Sequence, residues 1–168
     1  MHKSMTIKIK KYLNCFLLII PIMVWNIIFA DKLPTAFQPE IFWNNISPFL
    51  TYGENISRSI LFIISFLMPL RVSTIAQKRG LVIYLIGTLL YFASWIALIY
   101  FPTCDFSNSI LGFTAPAYTP LLWLFGIGLI GNSFYFELPF RHWFFISAAT
   151  IFLIFHNCHT VIIYCRIY

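Results

Sequence analysis

Five apolar runs, separated by shorter polar or aromatic-rich segments, dominate the chain. They extend over residues 12–30, 52–76, 81–101, 120–136 and 143–164. Each is close to the ~20 residues that a helix needs to cross the ~30 Å hydrocarbon layer of a bilayer. None alternates in the manner of a membrane-barrel strand. The pattern predicts an all-α, polytopic membrane helix bundle with about five transmembrane helices.

The composition supports a membrane protein. Hydrophobic residues make up 60% of the 168 residues and charged residues only 10%, whereas soluble domains carry roughly 25% charge. Such a chain lacks the polar surface that a water-facing globule needs. We therefore expect residues 1–168 to form a single membrane domain whose main partner is the lipid bilayer. Other membrane subunits are candidate partners.

The net charge of +6 raises the possibility of a nucleic-acid partner. Such a partner needs a clustered basic face, but the basic residues here lie between the apolar runs. Lys and Arg beside membrane spans are retained on the cytoplasmic side. The sequence therefore predicts no nucleic acid as partner and favours the plasma (inner) membrane as the location.

The distribution of Lys and Arg predicts the orientation. The amino-terminal tail holds four, the connection between the second and third runs three, and that between the fourth and fifth runs one. The alternate segments hold two, Lys32 and Arg166, and Arg58 lies within a run. An eight-to-two split places the amino terminus inside and the carboxyl terminus outside.

A cleaved signal peptide is an alternative interpretation of the first run. Lysines, an apolar stretch and Ile28-Phe29-Ala30 before Asp31 fit such a segment. The run is long for a signal peptide, and Trp25 and Asn26 stand just before the possible cleavage point. After cleavage, the chain would have four spans and both termini outside.

Local signals refine the span boundaries. Thr51 and Glu54, three residues apart, predict a capping box at the start of the second span. Arg79-Gly80 predicts a very short turn between antiparallel second and third spans. Kinks are expected at two prolines inside the runs, Pro21 and Pro69.

Two outer connections, 31–51 and 102–119, are distinctive. The first combines many aromatic residues and three prolines with few charges. It is predicted either to be anchored in the membrane interface by its aromatic side chains or to fold over the helices as a functional lid. In the second, Pro116 and Pro120 are four residues apart, which argues against a regular helix there. Thr119-Pro120 predicts the start of the fourth span.

Polar residues at membrane depth are costly and mark candidate sites. Glu54 and Arg58 are four residues apart and share a helix face, as do His156 and His159, which are three apart. Together with Asp105 in the outer connection, they are the candidate substrate-binding residues. If the first, second and fifth spans adjoin, these residues would form a polar pocket open to the outside.

Several kinds of chemistry suit such a pocket. The histidines and a carboxylate can bind a metal, Arg58 can bind an anion, and His with Glu can relay protons. Two histidines three apart are a weak metal signal, so no metal and no cofactor is predicted. The structural alternative is that Glu54 and Arg58 form a helix-end ion pair and the histidines bond to neighbouring helices.

Two further patterns are better explained by helix anchoring and helix packing than by a binding site. Asn132, Ser133 and Glu137, near Arg141 and His142, are expected to anchor a helix end. Gly126-Ile-Gly128-Leu-Ile-Gly131 matches a dinucleotide-binding pattern, but no strand precedes it. Its glycines are expected to let another helix approach closely, as are Ala93 and Ala97.

The four cysteines do not form a redox motif. Cys15 is expected near the inner face, and Cys104 and Cys165 near the outer one. A disulfide between the last two is topologically possible, but free thiols are favoured.

The sequence contains no arrangement typical of the common enzyme classes. We expect a small multi-pass protein without catalysis that binds or transports a solute through an outward-facing polar pocket, or serves as accessory subunit of a membrane complex. One alternative is a membrane-embedded enzyme acting on a lipid or lipid-linked substrate at the outer leaflet. Another is a purely structural subunit.

Overall fold

The computed structural model describes residues 13–136 and 143–168, and these residues form an all-helical bundle. Lys3, Lys8, Lys10 and Lys11, and the group Glu137, Arg141 and His142, lie outside the described residues. The helices are α1 (Ile20–Phe29), α2 (Pro39–Phe42), α3 (Pro48–Leu67), α4 (Ile75–Tyr100), α5 (Asp105–Asn108), α6 (Ile110–Phe113), α7 (Ala115–Tyr118), α8 (Pro120–Ile130) and α9 (Trp143–Ile167).

The long helices form a closed ring. Helix α4 packs along α8, α8 contacts α9, and α9 packs along α3. Helix α1 closes the ring because Trp25 stacks on Phe92 of α4 at 4.1 Å. Phe16, just before α1, meets Phe62 of α3 edge-on.

Three stretches of the described residues are long and apolar enough to cross a membrane: Cys15–Lys32, Ile75–Tyr100 and Trp143–Ile167. A shorter apolar stretch covers Ala115–Ile130. The prediction is thus confirmed in two respects: the described residues form helices without strands, and three helical stretches are apolar and long enough to span a membrane. Helix α3 has 20 residues, but Glu54, Asn55 and Arg58 lower its mean hydropathy.

Prolines set the ends of helices rather than kinks within them. Pro21 stands in the first turn of α1, after a 3-10 turn at Cys15–Leu18. Helix α3 ends at Leu67, because the residue before Pro69 is pushed out of the α region. The backbone at Met68 and Leu70 then bonds to Cys15 and Leu13. The second span is therefore shorter than the predicted 52–76, and neither proline kinks a continuous helix.

The boundary between the second and third spans was predicted wrongly. Arg79 and Gly80 lie inside α4, which begins at Ile75. Thr74 and Gln77 form the capping box: Thr74 Oγ1 accepts from the Gln77 amide, and Gln77 Oε1 accepts from the Thr74 amide. The buried Gln77 also donates to the carbonyl of Ile130, the last residue of α8.

The capping box predicted at Thr51 and Glu54 is not formed. Both residues lie inside α3, which begins at Pro48. Proline at the first helical position lacks only an N–H that would be unpaired there. The helix therefore begins at Pro48 without a side-chain cap, and the Glu54 carboxylate is free to bond elsewhere.

Glycines bring α4 and α8 into contact. A Cβ added to Gly126 would lie 2.6 Å from the backbone nitrogen of Tyr84 and 2.7 Å from the carbonyl oxygen of Gly80. The expectation that these glycines allow close helix approach is confirmed. Ala93 and Ala97 of α4 line a groove beside α7 and the start of α8.

The two predicted outer connections contain short helices. Residues 102–119 hold α5, α6 and α7, and Pro116 and Pro120 each stand in the first turn of a helix. The expectation that two prolines exclude helix there was wrong, because a proline is tolerated at the first turn. Thr119 precedes α8 but makes no side-chain cap.

Residues 33–47, here called the roof, fold over one end of the ring. Phe37 stacks on Phe113 of α6 at 4.6 Å. Arg166 of α9 donates to the carbonyl oxygens of Asn44 and Asn45, each at 2.6 Å. Asn45 has φ 51°, a left-handed conformation that Asn tolerates better than most residues. The roof is therefore held by defined contacts.

We predict that Gly126→Ala destabilises the bundle. Its new methyl group meets backbone atoms, which cannot rotate away, so about 1–3 kcal/mol should be lost. Gly128→Ala is the matched control, since its Cβ would meet the Ile146 side chain at 2.9 Å. Thermal unfolding in detergent should give a lower midpoint for the first variant, and equal midpoints would contradict the backbone contact.

Candidate functional site

Glu54 is the centre of a buried polar cluster. Its side chain has no exposed surface. Oε1 accepts hydrogen bonds from Arg58 Nη2 and, at 3.0 Å, from His156 Nδ1, and Oε2 lies 2.7 Å from His159 Nδ1. One carboxylate thus joins two residues of α9 to α3.

His159 connects the cluster to the roof. Its ring is buried between Phe42 and Trp43, and Nε2 lies 2.8 Å from the Phe42 carbonyl oxygen. This carbonyl accepts only, so Nε2 must carry a hydrogen. The Nδ1–Oε2 contact holds one further hydrogen, on either His159 or Glu54. The Glu54–His159 pair is electrically neutral in both cases.

Arg58 therefore has no full counter-ion in the cluster. Its charge lies beside a carboxylate that His159 already neutralises. The guanidinium lies over the Phe152 ring at 5.5 Å, and about a third of the side chain is exposed. Of its five N–H groups, one bonds to Glu54 and another reaches Asn55 Oδ1 only at 3.5 Å.

His156 presents the other face of the cluster. Nδ1 faces Glu54, and the ring stacks on Phe152 with 5.3 Å between centroids. Thr160 Oγ1 donates to the His156 carbonyl, and Asn157 ties α9 to α7 through the carbonyl of Ala117 at 3.0 Å. The carboxylate thus fixes the orientation of the imidazole.

Arg58 and His156 line a cavity of about 290 Å³ at the centre of the helix ring. Helices α1, α3, α4, α8 and α9 all contribute to its wall, and Phe37 and Phe42 of the roof close one side. The apolar part of the wall comprises Ile19, Ile22, Met23, Leu61, Phe62, Leu124 and Phe152. The cavity is thus apolar with a cationic group at one position.

One tryptophan in the wall has an unused hydrogen-bond donor. The Nε1 atom of Trp123 is buried and has no partner among the described residues. Tyr91 and Asn26, also in the wall, are paired: the Tyr91 hydroxyl donates to Asn26 Oδ1 at 2.6 Å. Trp95 packs edge-on against Tyr91, with 5.9 Å between the ring centroids.

The structure brings four of the five predicted site residues together. One network joins Glu54 and Arg58 of α3 to His156 and His159 of α9. The grouping required the second and fifth predicted spans to be neighbours, and α3 and α9 pack together. Asp105 is exposed in the first turn of α5, and no described ion pair or hydrogen bond joins it to the network. Asp105 was grouped with them by its side of the membrane, and an outer connection gives no information on lateral position.

Metal-binding geometry is absent from residues 13–136 and 143–168: no group of three or more His, Cys, Asp or Glu side chains is placed to hold an ion. Both histidines direct Nδ1 to the carboxylate at hydrogen-bond distance. The four cysteines are free, with Cys15 buried and the others exposed. Asn132 and Ser133 lie in the non-helical segment that follows α8.

Sequence reasoning missed the indoles and the roof carbonyl. Trp95 and Trp123 fall within apolar runs, where tryptophan passes as a hydrophobic residue. Trp123 also gave no signal by its position, because it is three residues from the start of the predicted fourth span and membrane tryptophans are enriched at the interfaces. The Phe42 carbonyl gave no signal, because backbone atoms carry no side-chain identity.

We predict that Glu54→Gln strongly destabilises the protein. The amide would keep one acceptor oxygen and present an NH₂ group to other donors, and removal of one partner from a buried ionic network costs about 3–5 kcal/mol. The exposed Glu40 of the roof provides the matched control, Glu40→Gln, which should be unchanged. The midpoints of thermal unfolding would compare them. Equal stability of both variants would show that the Glu54 network is not formed.

These residues suit two chemical tasks: holding a polar group at one side of an apolar cavity, and exchanging a proton within the Glu54–His network. Comparisons of the chain with protein-family models, curated proteins and solved structures give no match.

Proposed function

We propose that this protein is a five-span membrane protein that binds a small solute in its central cavity, which is reached from the outer side. The observation that carries the proposal is the placement of Arg58 and His156, oriented by Glu54, on the wall of that cavity. A purely structural cluster would need no adjoining space. Here the cationic group borders a volume at the lower end of ligand-pocket size.

The packing supports five spans. In addition to the three long apolar stretches, α3 and the Ala115–Ile130 stretch complete the ring. Glu54 faces the interior, whereas Ile56, Ile60 and Ile63 of the same helix are exposed. A helix with its polar groups inward and aliphatic groups outward suits a lipid environment.

Retention of the first span is part of the proposal. Leu18 accepts a hydrogen bond from Tyr84, Asn26 accepts one from Tyr91, and Ile22 lies in the cavity wall. Removal of residues 1–30 would open the cavity between α3 and α4. These contacts favour an anchored first helix over a cleaved signal peptide.

One observation favours a second candidate, a membrane enzyme acting on a lipid or lipid-linked substrate. An imidazole oriented through Nδ1 by a carboxylate is the arrangement of a general base, and His156 has this arrangement at the cavity wall. A base of this kind would activate a water or a substrate hydroxyl. We rank it second because the bonds shown here do not join His156 to a nucleophilic side chain.

We predict that Cys104 is labelled from outside the cell. In single-cysteine variants, a membrane-impermeant maleimide should label Cys104 in intact cells. A cysteine at the exposed Val72, in Val72→Cys, should react only after permeabilisation. Hydrogen bonds from Ser107 lower the pKa of the Cys104 thiol, so its labelling should persist to lower pH than that of an ordinary thiol. The reverse labelling pattern would overturn the proposed orientation.

We predict that the purified wild-type protein retains a small molecule that a cavity-filled variant lacks. Ala117 is buried in the cavity wall, so Ala117→Leu should exclude the solute. Ala76→Leu, at an exposed position in the first turn of α4, is the control. Native mass spectrometry of protein released from detergent should show the added mass in the wild type and the control alone.

The outcomes separate the candidate functions. The same bound mass in all three proteins, or in none, would contradict solute binding in this cavity. If the wild type retains both a substrate and its product, and His156→Gln retains the substrate alone, the enzyme is favoured. A copurifying membrane subunit without a small molecule would favour the accessory role.

A further inference from the structure

The cavity combines a positive charge with a mostly apolar wall. Arg58 is among the residues that line it. The wall includes no carboxylate. The nearest carboxylate, Glu54, already has both oxygens engaged.

The charge balance does not depend on where the proton of the Glu54–His159 pair resides. Because this pair is neutral in either form, the positive charge of Arg58 is not neutralised within the cluster. The Phe152 ring beside it supplies only a cation–π contact. A largely buried cation without a full counter-ion favours an anion beside it, so an anion in the cavity would be stabilised.

The rest of the wall determines the body of the ligand. Aliphatic and aromatic side chains from α1, α3, α8 and α9 surround most of the volume. At ~30 Å³ for each water-sized group, the cavity of about 290 Å³ holds about ten non-hydrogen atoms. A fully hydrated inorganic anion would leave this apolar surface without a partner.

We propose that the ligand is a small amphiphilic oxyanion, a carboxylate or phosphate on a short apolar body. The oxyanion binds Arg58, and the apolar body contacts the aliphatic wall. This inference rests on the proposed solute-binding function and names its ligand class.

Octanoate, with ten non-hydrogen atoms, is the probe, and octanol and octylammonium are its neutral and cationic counterparts. The full-length protein in phosphatidylcholine nanodiscs would be titrated with each, and the tryptophan fluorescence of the cavity recorded. Octanoate should bind, and both counterparts should bind at least tenfold more weakly. Equal binding of octanol, or tighter binding of octylammonium, would overturn the proposal.

Two variants test the named contact. Arg58→Gln should weaken octanoate binding at least tenfold, because it removes the charge. Arg58→Lys, which keeps the charge, should weaken it less. If Arg58→Gln fails to fold, the comparison of octanoate with octanol and octylammonium on the wild-type protein still decides. Unchanged octanoate affinity in a folded Arg58→Gln would overturn the assigned contact.

Further titrations identify the source of the oxyanion. Octyl phosphate in place of octanoate tests whether phosphate is accepted. Nanodiscs containing phosphatidylglycerol test a lipid headgroup, which should compete with octanoate if it enters the cavity. If no probe binds although native mass spectrometry shows a solute that Ala117→Leu loses, the ligand class is wrong and the proposed function stands.

Discussion

The buried carboxylate of Glu54 is the interaction on which this structure depends. It joins α3 to α9 through two histidines, and His159 extends the connection to the roof through the Phe42 carbonyl. Burying an ionisable group without partners is very costly, so loss of any of these contacts should weaken the packing of all three elements. The same network leaves Arg58 at the wall of the cavity, so helix packing and the proposed solute binding share one set of atoms.

Much of the fold was predictable from the sequence because the membrane limits the choices. Backbone groups in lipid must be satisfied internally, so long apolar runs could only be helices. Glu54, Arg58, His156 and His159 could be grouped from helical spacing, because residues three or four apart share a face. These predictions needed only local periodicity and the cost of burying polar groups.

Features that arise from contacts between segments could not be predicted. The break after Leu67 depends on Pro69 and on backbone pairing with Cys15, far away in sequence. The capping box was predicted at Thr51, yet the one formed is at Thr74, where Gln77 also bonds to Ile130 of α8. Asp105 was grouped with the site only because it was predicted to lie on the same side of the membrane. Its position around the ring depends on how α5 packs.

The roof has a consequence for how fast the proposed solute would exchange. Arg166 donates to two successive carbonyl oxygens of the turn at Asn44 and Asn45, and these bonds do not involve Arg58. If the solute enters past the roof, it must break these hydrogen bonds, whereas its equilibrium affinity is set mainly within the cavity. Residence time and binding strength would then be controlled by different residues. Evolution or engineering could therefore change how long a solute stays without changing which solute is bound.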